Sequence, residues 1–394
     1  SMVPLWKKQK SQIKEEEYNS FYEAKFHDYE APLKVIHANM EGAVNYTALL
    51  FIPAHAGSEY YTKDYKKGLQ LYCNGVLITD CCEDLVPDCY AFVKGVVDSS
   101  ALSLNISREV LQQDRQLKAI AGGIEKKITA ELGKMLENER ENYDKMFEAF
   151  GLTLKFGAYN NFGFKKDELK DLLLFRSSTR DKLITLKEYV AAMKEGQTDI
   201  YYACGSDYKT IAEMPQTELL RAKCYEMLYF KDSVDEFVVK VLGEYDGKKF
   251  RNIQDGDLEL NSEEEKAAVS EKKEQYKELS DYIKEKLGDK VSAVRFTDKL
   301  VTSAVCLSAD GDISLEMEKT FKAMRASSPM PVEAKKVLEI NINHPIAEKL
   351  KTYYDSDKET LDKYIKVLYG EARMLAGFDI EDATEFTSVV NSLI

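Results

Sequence analysis

The segment SLNISREVLQQ (103–113) places a cation where a helix disfavours one. Ser107 reads as an N-cap, because its hydroxyl can accept from a first-turn amide and an apolar periodic run follows it. The next residue is Arg108. A helix N-terminus carries partial positive charge, so a cation there is unfavourable by about a few tenths of a kcal/mol. On a helix Arg108, Gln112 and Arg115 share one face, while Leu117, nine positions beyond Arg108, falls on the opposite one. Arg108 either pairs with a neighbouring acid, Glu109 or Asp114, or is offered to an anion that belongs to something else. A guanidinium presented in trans to a phosphate is a recurring device in nucleotide hydrolysis.

No other stretch assembles a catalyst. The chain has no G-x-x-x-x-G-K-[ST] loop, G-x-S-x-G elbow, H-E-x-x-H pair or Asp-rich calcium loop, and AGG at 121–123 lies within a helical pattern. Seven cysteines (73, 81, 82, 89, 204, 224, 306) form no C-x2-C pair and four histidines (27, 37, 55, 344) are scattered, so reduced thiols and no zinc site are expected. The net charge of −13, with no basic stripe interleaved with aromatics, argues against nucleic acid. No apolar run approaches the roughly 20 residues of a membrane span. The opening SMVPLWKKQKSQ lacks the apolar core of a signal peptide, and SM reads as a cloning scar. A cytoplasmic protein without membrane contact is expected.

Two apolar stripes invite partners. In ISLEMEKTFKAMRASSPMP (313–331), Leu315, Met317, Phe321 and Met324 fall at helical spacings and Met330 follows in a Ser/Pro-rich loop. Such a stripe is either core or, because methionine is flexible and polarizable, an adaptable surface for varied unfolded segments. At the C-terminus Leu361, Ile365, Leu368, Ala372 and Leu375 line one helix, and Phe386, Val389, Val390 and Leu393 line another. Two helices do not cover both stripes. They either pack on the preceding strands or pair with the same hairpin of a second copy.

The elements that would hold these residues alternate. LKVIHAN (33–39), VNYTALLFIP (44–53), LQLYC (69–73) and VLIT (76–79) read as strands, and Asn74-Gly75 between the last two is a hairpin signal. From 108 to about 150 the pattern is helical, with Val110, Leu117, Ala121, Ile124, Ile128 and Leu132 on one face. FGAYNNFGF (156–164) reads as a loop, and residues 165–242 as a second, smaller α/β layer. Polar GEYDGKKFRNIQDGD (243–257) marks a domain boundary; a charged amphipathic helix (263–290), strands over 293–311 and four further helical stretches follow. At 394 residues, a mixed α/β, multi-domain fold is expected.

VPLWKKQKSQIKEEEYNSFY, GLQLYCNGVLITD, VVDSSALSLNISREVLQQ, DIYYACGSDYKTIAEMP and KKVLEININHPI together resemble the bacterial branch of the ninety-kilodalton heat-shock chaperones, in the family's order and spacing. The similarity lies with the middle and C-terminal domains, and the N-terminal ATP-binding domain is expected to be absent. The resemblance implies a middle domain over 1–256: an α-β-α sandwich (1–110), a helical connector (111–150) and a small α/β unit (151–256). A C-terminal dimerisation domain with a helical bundle would occupy 257–394. Arg108 would reach the γ-phosphate of ATP held by the missing domain, supported by Gln112, with Asn105, Ser107 and Glu109 shaping the loop. That would explain the cation at the helix start, since its counter-charge arrives from another domain. Trp6, Leu315, Met317, Phe321, Met324 and Met330 resemble regions that bind client proteins. Leu368, Leu375, Phe386, Val389, Val390 and Leu393 would form the homodimer interface.

Departures from the family pattern are Ser103, where a proline is usual, Ile342 in EININHP, and the lack of the eukaryotic C-terminal pentapeptide. No cofactor is expected in this chain, and ATP with Mg in the full-length ATPase. The expected partners are unfolded or partly folded proteins, a second copy, and other chaperones. The alternative is a nucleotide-independent scaffold or adaptor.

Overall fold

The computed structural model describes residues 3–102, 114–324 and 331–394. They form two compact units, 1–174 and 175–394.

The first unit is built on a five-stranded sheet. Helix α1 (Glu15–Phe26) precedes strands β1 (Lys34–Met40), β2 (Tyr46–Ile52), β3 (Leu69–Cys73), β4 (Val76–Cys82) and β5 (Lys94–Asp98). Their order is β1-β2-β5-β3-β4, so β5 is the central strand. It runs parallel to β3 and antiparallel to β2. Asn74 and Gly75 take φ of 50° and 83°, the pair of left-handed residues that a two-residue hairpin needs to match strand twist. Trp6, Tyr18, Tyr22, Leu49, Phe51, Tyr72 and Val96 form one core cluster, with α1 laid over the sheet.

Helices α2 (Arg115–Asn138) and α3 (Arg140–Gly163) follow, with a short helix α4 (Lys166–Leu169). In α2, Leu117, Ile120, Ile124, Ile128, Leu132 and Met135 are buried at three- and four-residue steps. Ala121, expected in that stripe, is only half-buried. The break falls at Glu139, whose φ of −136° and ψ of 51° are not helical. FGAYNNFGF, expected as a loop, continues α3. The backbone departs at Asn160, which is extended, and at Asn161, Phe162 and Gly163, which have positive φ. Buried Leu154 and Ala158 explain the continuation, because they extend the apolar face begun by Tyr143, Met146, Phe147 and Phe150.

The second unit contains two sheets. Strands β6 (Leu174–Ser177), β7 (Leu183–Thr185), β8 (Asp199–Cys204), β9 (Leu228–Phe230), β10 (Glu244–Tyr245) and β11 (Lys248–Asn252) form a six-stranded sheet ordered β10-β11-β8-β9-β6-β7. Helices α5 (Leu186–Ala191), α6 (Tyr208–Ala212), α7 (Thr217–Ala222) and α8 (Asp235–Leu242) connect them. The stretch expected as a polar boundary carries the β10–β11 hairpin, turned at Asp246-Gly247 with φ of 50° and 71°.

The charged helix expected over 263–290 is two: α9 (Glu263–Gln275), which buries nothing, and α10 (Lys277–Leu287), which buries Leu279, Ile283 and Leu287. Tyr276 breaks the helix at φ −99°, ψ 2°, and stacks its ring on Phe296 at 4.5 Å. Strands β12 (Ala293–Thr297), β13 (Val305–Asp310) and β14 (Lys335–Asn341) form a three-stranded sheet ordered β12-β14-β13. Helices α11 (Leu315–Ala323), α12 (Pro345–Ser356), α13 (Lys358–Leu375) and α14 (Ala383–Leu393) complete the unit. An isolated parallel bridge, Asp255 to Ala309, joins the end of the six-stranded sheet to β13.

Candidate functional site: the anchored arginine segment and the C-terminal helices

Arg108, Gln112, Asn105, Ser107 and Glu109 lie outside the described residues, but the frame at both ends of their segment is built in detail. The central strand β5 ends at Asp98, which is 6% exposed. Its carboxylate accepts from Trp6 Nε1 at 3.0 Å and Gly75 N at 3.2 Å, and Lys7 Nζ lies 3.3 Å away. Ser99 donates its hydroxyl to Asn45 O at 2.7 Å, and Cys73 Sγ donates to Leu102 O at 3.0 Å. At the far end Asp114 caps α2, accepting from Gln116 N at 2.7 Å and Leu117 N at 3.1 Å. The buried stripe that opens with Leu117 fixes the helix below the cap.

Trp6 belongs to this anchor. Its ring lies 4.8 Å from Tyr72 and is 6% exposed, so its role here is internal packing rather than an accessible surface. His37 closes the cluster by donating Nε2–H to Trp6 O at 3.0 Å while Nδ1 accepts from Tyr18 at 2.7 Å. Burial holds the His37 imidazole below its ordinary pKa, which keeps it neutral in that pair of bonds.

In the second unit the methionine-bearing helix divides. Leu315 and Met317 are core, Phe321 is half-buried with its ring edge-on to Phe237 at 5.8 Å, and Met324 is 56% exposed. Met330 lies outside the described residues. Ser314 caps the helix, accepting from Met317 N at 3.0 Å and donating its hydroxyl to buried Glu236. Glu236 also accepts from Asn252 Nδ2 at 3.0 Å and Cys204 Sγ at 3.1 Å. Burial first, and then the Glu236 charge, push that thiol well up.

The C-terminal stripes divide as well. On α13, Leu361, Ile365, Leu368, Tyr369 and Ala372 are buried in the core of the second unit. Leu368 is therefore covered within its own chain, whereas Leu375 is 43% exposed. Helix α14 buries no residue fully; Phe386, Val389, Val390 and Leu393 are half-buried along one face. Phe386 seats on Gly370, where an added Cβ would meet the ring at 2.5 Å. Lys366 and Glu385 pair at 2.5 Å beside it. A groove of about 330 Å³ lined by Ile365, Tyr369, Ile380, Phe386 and Val389 remains between the two helices.

Residues 1–394 match, over their whole length, the family described as "Hsp90 protein". The chain belongs to the Hsp90 family. Relatives named "Chaperone protein HtpG" include those of Halalkalibacterium halodurans, 49% identical over 388 residues, Bacillus subtilis, 48% over 388, and Clostridium acetobutylicum, 49% over 394. The alignments cover 98%, 98% and 100% of this chain and 62% of each relative. This Hsp90-family chain thus spans about 62% of the length of these relatives. No helix among the described residues is long and apolar enough to cross a membrane.

Sequence reasoning missed three carboxylates that organise this Hsp90 chain. Besides Asp98 and Glu236, Glu218 accepts from the amides of Val301 and Thr302, both at 2.9 Å, and of Ser303 at 3.2 Å. Burial works against its charge, yet the bonds from Ser303 and these amides outweigh it and hold the carboxyl below its usual range. Each has partners tens of positions away, so no local spacing marks them. Asp246-Gly247 between short β-formers was a hairpin signal available in the sequence.

Proposed function

We propose that this chain is the client-binding and self-associating part of an Hsp90-type molecular chaperone, and that Arg108, aided by Gln112, serves ATP hydrolysis in the longer protein. The observation that carries this reading is the match of all 394 residues to the family, with 48–49% identity to HtpG chaperones. The anchored frame supports it further. Asp98 and Asp114 anchor the chain on either side of a segment whose sequence holds one arginine, which suits a group meant to meet a charge arriving from outside. ATP and its magnesium would be held elsewhere in the longer protein, since none of the phosphate-cradling loops occurs in this sequence. The guanidinium would there stabilise charge developing on the transferred phosphoryl group.

Self-association is assigned to α14 with the end of α13. A stripe at i, i+3, i+4 and i+7 that remains half open suits a four-helix arrangement with a second copy. Exposed Met324 and half-buried Phe321 on α11 suit contact with unfolded or partly folded proteins.

The test is aggregation of a chemically unfolded protein diluted into buffer without nucleotide. The chain should suppress light scattering at near-stoichiometric amounts, and Met324→Asp should weaken the effect. Scattering unchanged by the chain would remove the client-binding reading.

A further inference from the structure

Beside the three-stranded sheet lies a concavity of about 590 Å³ with a charge opposite to that of the whole molecule. Lys284 from α10, Lys290 just beyond it, Lys322 from α11, Lys335 and Lys336 at the start of central strand β14, and Arg373 from α13 line it. Three carboxylates, Asp289, Glu333 and Glu381, share the lining, and the buried Glu318 pairs with two of its lysines, leaving an excess of two positive charges. The chain as a whole carries 68 acidic against 55 basic residues. At that ratio a concavity of average composition would be slightly acidic.

Two acids at the concavity, Glu381 in its lining and Glu318 beneath it, are already engaged. Glu381 accepts from Lys290 at 2.6 Å and lies 3.6 Å from Arg373. Glu318, fully buried, takes Lys322, Lys336 at 2.6 Å and the amide of Ala334 at 2.8 Å. Four cations, Lys319, Lys322, Lys336 and Arg373, also crowd within 5.8 Å of the centre of the Phe378 ring. Lys284 donates to a carbonyl, Gly288 O, and neither it nor Lys335 has a carboxylate partner among the described residues. Like charges gathered in a concavity repel one another and focus a field that concentrates anions.

We propose that this concavity binds an acidic segment of a partner polypeptide, with two or more Asp or Glu carboxylates bridging the lysines on its rim. Carboxylates are favoured because they are the ligands these cations already hold, at Glu318 and Glu381. Five of the six lining cations are lysines, which act as point charges without the fixed fork that selects planar bidentate groups. The concavity shares Lys290, Tyr369, Arg373 and Glu381 with the groove between α13 and α14, so a bound segment would lie beside the surface assigned to self-association. The inference stands apart from the reading of Arg108.

The test is fluorescence anisotropy of a labelled Glu/Asp-rich peptide titrated with the chain, beside a Lys-rich peptide of equal length. Saturable binding of the acidic peptide alone is expected, weakening about ten-fold or more between roughly 50 and 200 mM salt as the rim charges are screened. Lys335→Glu should weaken it by a similar factor, and Lys284→Gln serves if the first variant melts early. Lys63→Glu, in the other unit, should change nothing. Binding that ignores both rim variants, equal binding of the Lys-rich peptide, or no saturable binding at low salt each overturns the proposal. So does saturation by inorganic tripolyphosphate with no binding of the peptide, which would make this a small-anion site.

Discussion

Burial raises the Asp255 carboxyl from 3.8 to about 6, with the Arg251 cation opposing and the Asp257 and Glu236 charges adding to the shift. Its backbone neighbours carry the bridge between sheets, where Gly256 N donates to Ala309 O and Ala309 N to Gln254 O, both at 3.0 Å. The folded pKa lies above the unfolded one, so folding favours the protonated form. That contribution is fully present below about pH 3.8 and is lost as pH rises through about 6. Asp255→Asn removes the cost of charging and should raise the stability of the second unit at pH 7.5 by about 1–2 kcal/mol. At pH 4 the gain should be much smaller. Denaturant melts at the two pH values check this, and equal gains would show that the charge is not the cause. Little of this was legible in the sequence. Asp98, Glu218, Glu236 and Asp255 read as ordinary surface acids until folding supplies donors or burial from distant segments. Arg108 was singled out because a cation just after a candidate N-cap conflicts with a local rule, and it lies outside the described residues.

At the scale of elements, periodicity identified the stripes but not what covers them. Leu361, Ile365, Leu368 and Ala372 are all covered within the chain, whereas Leu375 on the same helix and the apolar face of α14 are left partly open. No pattern of types distinguishes the two outcomes, because coverage depends on where the three-stranded sheet ends. Tyr276 likewise breaks a continuous charged pattern only because Phe296 is there to receive its ring. Asn74-Gly75 was legible because its chemistry is local. Gly370 gives a direct check on how α14 is seated. Gly370→Ala would drive a methyl group into the Phe386 ring, so α14 should lift away. Amide hydrogen exchange over 383–393 should quicken by about ten-fold or more while the sheet amides keep their protection. Unchanged exchange there would mean that Phe386 does not hold the helix.

For the whole molecule, the assembly reading rests on the half-open stripe. Val390→Asp would bury an unpaired charge in a helix–helix interface at a cost of about 3–5 kcal/mol. Sedimentation should then show the monomer at concentrations where the unaltered chain is a dimer. A tight dimer for that variant would move the interface elsewhere. The proposed role of Arg108, acting on a nucleotide bound by another part of a longer chaperone, can be tested directly. The decisive measurement joins this chain to an N-terminal ATPase domain from the same organism, and compares turnover and ATP affinity for the unaltered protein and for Arg108→Ala. Turnover should fall by about ten-fold or more in Arg108→Ala, equivalent to about 1.4 kcal/mol of barrier, with affinity nearly constant. Unchanged turnover would contradict that role and leave Arg108 a surface or structural residue.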